Sequence, residues 1–228
     1  MVGMVWEPPP PPPRDEHVLL ERAYALSGLT LEDIARRYGQ TPPPDLRRHK
    51  GWVGQLLEMA LGARAGSRAE PDFPHLGVEL KTLPVDPQGK PYESTFVCTA
   101  PAGGLASCWE ESWLRRKLAC VLWVPIVGRG PPGARIVGGA ICWRPDVRET
   151  QLLRTDWEAL RAILVGGRLD EISGRRGAVL QLRPKGANAA DTSWVLDADA
   201  NWVQEQQRAF YLRPRFTHEL LTRALRTQ

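Results

Sequence analysis

The chain has 228 residues, 43% of them hydrophobic and 25% charged, and 30 Lys+Arg against 26 Asp+Glu give a net charge of +4. That composition excludes a wholly disordered chain and is enough for one domain or two small lobes. The longest apolar run, Leu118 to Val127, contains Pro125 and is far shorter than the roughly twenty residues that span a membrane.

Met1 to Pro13 has neither the positive start nor the apolar core of a secretory signal, so a soluble, cytoplasmic protein without membrane contact is expected. Pro8 to Pro13 reads as a stiff polyproline stretch, which makes residues 1–13 a disordered leader outside the fold. Residues 14–228 are then expected to form a single domain with two lobes. Val18, Leu19, Ala23 and Leu26 predict a helix over 14–27, ended by Gly28. Thr30 heads a second helix, with Asp33 as its capping-box partner and Gly39 as its stop. Pro42, Pro43 and Pro44 form a rigid connector to a third, apolar helix over 52–61.

After Gly66 the pattern turns to strands. Residues 78–82 alternate with period two, and 95–99 are predicted as their hairpin partner across Asp86-Pro87-Gln88-Gly89. Residues 120–127 and 135–143 are apolar enough for a sheet centre. Helices are predicted over 110–118, 149–165 and 217–225, and short late strands over 179–182 and 210–212. The outline is α/β, a helical N-terminal part feeding a mixed sheet.

Cys98, Cys108, Cys120 and Cys142 lack metal-site spacing, and the four histidines offer no neighbouring pair. Reduced thiols, with no structural zinc, are expected. Arg175, Arg176, Arg183 and Lys185 carry no acid between them, and from Arg208 onward five arginines face one acid, Glu219. Such local surplus suits a polyanion, although a solvated basic face has the same composition.

The chemistry concentrates between Asp72 and Lys81. Glu79 and Lys81 are two apart on a predicted strand and leave its same face. Asp72, just before that strand, can fold back over its start. Converging carboxylates repel unless they hold a proton or a cation, and a hard ion such as Mg²⁺ suits oxygen donors, the Leu80 carbonyl among them. Lys81 then positions a water and steadies charge growing on a phosphate. Glu58, inside an otherwise apolar helix, needs a partner: a buried arginine, water on the helix's narrow polar side, or a place in the same cation cluster would each provide one. By residue type alone, Glu79 and Lys81 equally suit a solvated strand.

Lys50-Gly51-Trp52-Val53-Gly54, Leu57-Glu58, Leu61-Gly62-Ala63, Asp72-Phe73 and Leu76-Gly77-Val78-Glu79-Leu80-Lys81-Thr82 resemble the MutH family of methyl-directed mismatch-repair endonucleases. Thr95-Phe96-Val97-Cys98, Val121-Leu122-Trp123-Val124-Pro125, Arg183-Pro184-Lys185 and Phe210-Tyr211-Leu212 continue the match in the same order, from about residue 15 to about 225. The resemblance implies a restriction endonuclease-like fold, a mixed sheet flanked by helices, with two lobes around a DNA-binding cleft. It implies Mg²⁺-dependent nicking, with Mn²⁺ as a substitute, of the unmethylated strand at hemimethylated GATC sites in double-stranded DNA. It also implies a monomer stimulated by MutL, with MutS acting upstream.

By the same resemblance Glu58, Asp72, Glu79 and Lys81 are catalytic. Asp72, Glu79, Leu80 and Glu58 would hold metal, and Lys81 would orient the attacking water. Lys50 and Lys117 would contact phosphate, while Arg183, Pro184, Lys185 and Tyr211 would lie against the bases. On spacing alone Arg183 is equally a surface arginine, and Tyr211 suits a core strand. Two other functions compete. A type II restriction enzyme would share the same acids and cut both strands. A non-enzymatic helix-turn-helix regulator would use Thr30 to Gly39 as its first helix, but a triple proline follows where a short turn is needed.

Overall fold

The computed structural model describes residues 6–63, 70–100, 105–168, 171–172, 176–185, 192–196 and 202–225. In chain order the elements are α1 (Glu16–Ala25), α2 (Leu31–Arg37), α3 (Trp52–Leu61), β1 (Glu79–Val85), β2 (Thr95–Ala100), α4 (Trp113–Leu118) and β3 (Val121–Val127). There follow β4 (Ile136–Val137), β5 (Ile141–Trp143), α5 (Val147–Val165), β6 (Leu180–Pro184), β7 (Thr192–Leu196), β8 (Trp202–Gln206), β9 (Arg208–Leu212) and α6 (Pro214–Leu225). The chain forms two compact units: Met1–Tyr92 with Cys120–Arg144 and Leu221–Gln228, and Glu93–Ala119 with Pro145–Leu220.

The described part of the first unit contains α1, α2, α3 and a mixed sheet. Asp15 caps α1 by accepting the Val18 N–H, and Thr30 and Asp33 close the expected capping box on α2. α3 buries Val53, Leu56, Leu57, Ala60 and Leu61 and ends at Gly62, whose φ of 82° is left-handed. Residues 38–51 separate α2 from α3, far more than the three- or four-residue turn of a helix-turn-helix, which removes that reading. β1 runs parallel to β3, with Glu79 opposite Val121 and Lys81 opposite Trp123. β4 and β5 both pair antiparallel with β3. The long strand predicted over 135–143 is therefore two short pieces; Gly138 between them turns its N–H to the Pro125 carbonyl, 2.8 Å away.

The predicted hairpin between 78–82 and 95–99 does not form. A tight turn does close at Asp86, where the Gly89 N–H reaches the Asp86 carbonyl. The return pairing stops at a single bridge between Val85 and Pro91. Proline has no N–H to extend a ladder, and β2 pairs with β9 in the second unit instead. The leader also differs from expectation, because from residue 6 its described part is tied to the first unit. The Glu7 N–H meets the Arg37 carbonyl, Arg22 donates to the Pro11 carbonyl at 2.7 Å, and His75 lies 2.6 Å from the Pro13 carbonyl. Polyproline backbone carbonyls have no internal partners, so neighbouring donors take them.

The second unit is built on an antiparallel sheet in the order β2-β9-β6. α4 packs on β2 and α5 on β6, and Trp109 meets Trp157 edge-on at 5.9 Å in the core. Buried Asp156 accepts the N–H groups of Ala178, Val179 and Leu180 at 2.7–2.9 Å and so fixes the start of β6. Gly177 makes that approach possible: its φ is +84°, and a Cβ there would stand 2.1 Å from the Leu180 carbonyl oxygen. β7 and β8 form a separate hairpin that periodicity did not reveal. Among the described residues no helix is long and apolar enough to cross a membrane.

Candidate active site

Asp72 is brought to β1 by a short loop. Phe73 and Val78 exchange backbone hydrogen bonds around a turn over 74–77, and Gly77, at φ +65°, supplies the left-handed corner. The buried Asp72 carboxylate then accepts the Leu80 N–H through Oδ2 at 2.8 Å. In the parallel ladder the Glu79 N–H faces β3, bonding to the Cys120 carbonyl at 2.9 Å. Alternation turns the Leu80 N–H and carbonyl to the opposite edge of β1, the edge where Asp72 stands.

Glu79 and Lys81 leave one face of β1 and form an ion pair, Nζ to Oε1, at 2.6 Å. Both side chains are largely out of water, Glu79 at 4% and Lys81 at 14% exposure. Burying such charges is costly unless they are matched, and each supplies the other's match. Glu58 is half-buried on α3, the helix that packs directly against β1. The oxygen atoms of Asp72 and Glu79 and the Leu80 carbonyl are a set of hard donors suited to Mg²⁺, which takes carboxylates and waters.

The residues expected at DNA fall in both units. Lys50 is exposed in the turn before α3. Lys117, on α4, lies 5.8 Å from the centre of the Trp113 ring. Arg183 and Tyr211 stand on β6 and β9, with the guanidinium 5.7 Å from the tyrosine ring centre. Arg183 also donates to the Ser94 hydroxyl at 2.6 Å, and Lys185 donates to the Thr99 hydroxyl at 3.0 Å. Pro184 between them is exposed. Burial pushes the Tyr211 hydroxyl above its ordinary pKa, the largest cause of its shift. Phe96, opposite Tyr211 in the β2–β9 register, meets it edge-on at 5.7 Å and is 39% exposed. Sequence reasoning singled out none of Ser94, Phe96 or Thr99 as site residues.

A mixed sheet flanked by helices, with an acid–lysine corner on a strand edge, fits the restriction endonuclease-like class of DNA endonucleases. The sequence model of the family described as "DNA mismatch repair enzyme MutH" matches residues 61–156. The chain is 48% identical over 222 residues to the "DNA mismatch repair protein MutH" of Yersinia enterocolitica, covering 96% of this chain and 97% of the relative. The proteins of the same name from Yersinia pestis and Yersinia pseudotuberculosis match to the same extent. The chain belongs to the MutH family of DNA mismatch-repair endonucleases.

Proposed function

We propose that this enzyme nicks the unmethylated strand of double-stranded DNA at hemimethylated GATC sites, using Mg²⁺ at Asp72, Glu79 and the Leu80 carbonyl. The observation that carries the reading is the corner itself: a carboxylate fastened to the Leu80 N–H and a buried Glu79–Lys81 pair on the adjoining residues. Glu58, on α3 packed against β1, would be the third acid of this site. A divalent ion bound there supplies Lewis-acid stabilisation and a more acidic water; Mn²⁺ has similar donor preferences.

Asp72 and Glu79 would hold that ion and so fix the positive charge that orients the scissile phosphate. Lys81 would hold the attacking water and donate to oxygen as negative charge grows. In-line attack leaves a 5′-phosphate and a 3′-hydroxyl. On the second unit, Arg183 reads guanine through its two major-groove acceptors. Tyr211 packs near the adenine whose methylation is sensed, and Pro184 and Lys185 carry the same reading loop. Lys50 and Lys117 hold phosphates without reading sequence. The protein acts as a cytoplasmic monomer, stimulated by MutL after MutS has found a mismatch.

Hemimethylated, unmethylated and fully methylated duplexes, each with and without MutL, test the reading. The expected result is a single nick on the bare strand, faster with MutL, and no cut in fully methylated DNA. Efficient double-strand cleavage of unmethylated DNA without a helper would assign the protein to restriction instead.

A further inference from the structure

Three residues far apart in sequence meet at the first unit's surface. Cys120, just before β3, and Cys142, on β5, place their Sγ atoms 3.6 Å apart. Glu16, in the first turn of α1, has Oε1 3.2 Å from the Cys142 sulfur. All three donor atoms lie within 4.8 Å of one another. Arg144 forks onto both oxygens of Glu16 and comes within 3.8 Å of the Cys142 sulfur. Cys120 is buried, whereas Glu16 and Cys142 are half-buried and Arg144 is exposed, so the cluster opens to solvent on one side.

We propose that Glu16, Cys120 and Cys142 form a binding site for a borderline-soft divalent cation of the zinc class, distinct from the hard-ion corner at Asp72 and Glu79. Two thiolates on one tetrahedral zinc, at a Zn–S distance of about 2.3 Å, stand about 3.8 Å apart; the sulfur atoms are already close to that separation. The Glu16 oxygen is near enough to join them with little movement, and the fourth position faces water. Binding displaces the two thiol protons to solvent. Two thiolates and one carboxylate then balance a doubly charged cation and the Arg144 guanidinium. Arg144 acts as a positioning residue, holding the Glu16 carboxylate in one orientation from outside the ligand set. The bound ion would clamp the start of α1 to the β3–β5 pair. Thiolate ligands favour zinc or cadmium over magnesium, so this site and the nuclease corner select different ions.

Titration of the full-length reduced protein with Cd²⁺ tests this, because ultraviolet charge transfer from thiolate to cadmium reports sulfur ligands and is silent for carboxylate sites. One Cd²⁺ per chain with that absorption is expected, retained in the Cys98→Ser/Cys108→Ser double variant and lost in Cys142→Ser. Glu16→Gln is expected to weaken binding by about tenfold or more. Stoichiometric Zn²⁺ should raise the melting temperature of the wild type and not that of Cys142→Ser, with circular dichroism confirming that the variant is folded. Absence of the absorption in the wild type, or its persistence in Cys142→Ser, overturns the proposal. Formation of a Cys120–Cys142 disulfide in place of metal uptake overturns it as well. Neither result bears on the nuclease reading, whose ion gives no such band.

Discussion

Each unit uses a buried aspartate to hold a strand, and the two differ in what else the carboxylate meets. Asp156 spends both oxygens on three successive backbone N–H groups at the head of β6. Asp72 accepts the N–H of Leu80 on β1 through Oδ2, and the neighbours of Leu80 are the buried pair Glu79 and Lys81. A carboxylate surrounded by backbone donors is neutralised by them and serves as a fastener. A carboxylate set beside another buried acid has a use for a cation. The contrast separates structure from chemistry more sharply than burial does, since Asp72 is 9% exposed and Asp156 6%.

Breaking the chemical member of the pair should have the largest effect. Asp72→Asn keeps an oxygen for the Leu80 N–H but removes the charge. Cleavage is expected to fall about 10²–10³-fold, with unfolding in urea nearly unchanged. Asp72→Ala should lose cleavage equally and also cost roughly 1–3 kcal/mol, because a buried N–H is left without its acceptor. A single-turnover cleavage series beside urea unfolding curves separates the two contributions. Asp156→Ala strips three N–H groups at once and should cost about 3 kcal/mol or more in the same unfolding measurement. A charge loss at Asp156 that slowed cleavage as severely as Asp72→Asn, with the fold intact, would erase the distinction between fastener and ligand.

Smaller effects sharpen the contrast at the DNA-facing residues. Arg183→Ala should reduce discrimination between GATC and random DNA by roughly tenfold, within the 1–3 kcal/mol of a good base contact. Equal loss on both DNAs would make Arg183 a phosphate contact. Lys50→Ala should weaken all sequences alike and flatten the slope of log affinity against log salt by about one unit, which competition binding at several salt concentrations measures.

Much of the first unit was legible because its determinants are local. The Thr30–Asp33 capping box, the apolar face of α3 and the alternation of β1 each lie within one turn or one strand. The same locality made Asp72, Glu79 and Lys81 readable as a group, since a strand and one tight loop bring them together. Strand partners were less legible. β2 follows a sound turn yet pairs with β9, more than a hundred residues later in the chain, and periodicity carries no information about which edge a strand joins. The meeting of Glu16 with Cys120 and Cys142 was invisible for the same reason: spacing rules for metal sites read neighbours along the chain, and these neighbours are made by the β3–β5 pairing and the start of α1.

Glu79→Gln offers the most direct test of where phosphodiester cleavage takes place. The amide keeps the size of the side chain and an oxygen for Lys81, and it removes a charge that pairs with Lys81 and would help hold a divalent ion. Cleavage of a hemimethylated GATC duplex is measured in Mg²⁺, with binding of the same duplex measured in parallel. Binding close to wild type with the nick essentially lost is the predicted result. Nicking by Glu79→Gln at a rate close to wild type would contradict the account and move the chemistry away from the β1 corner.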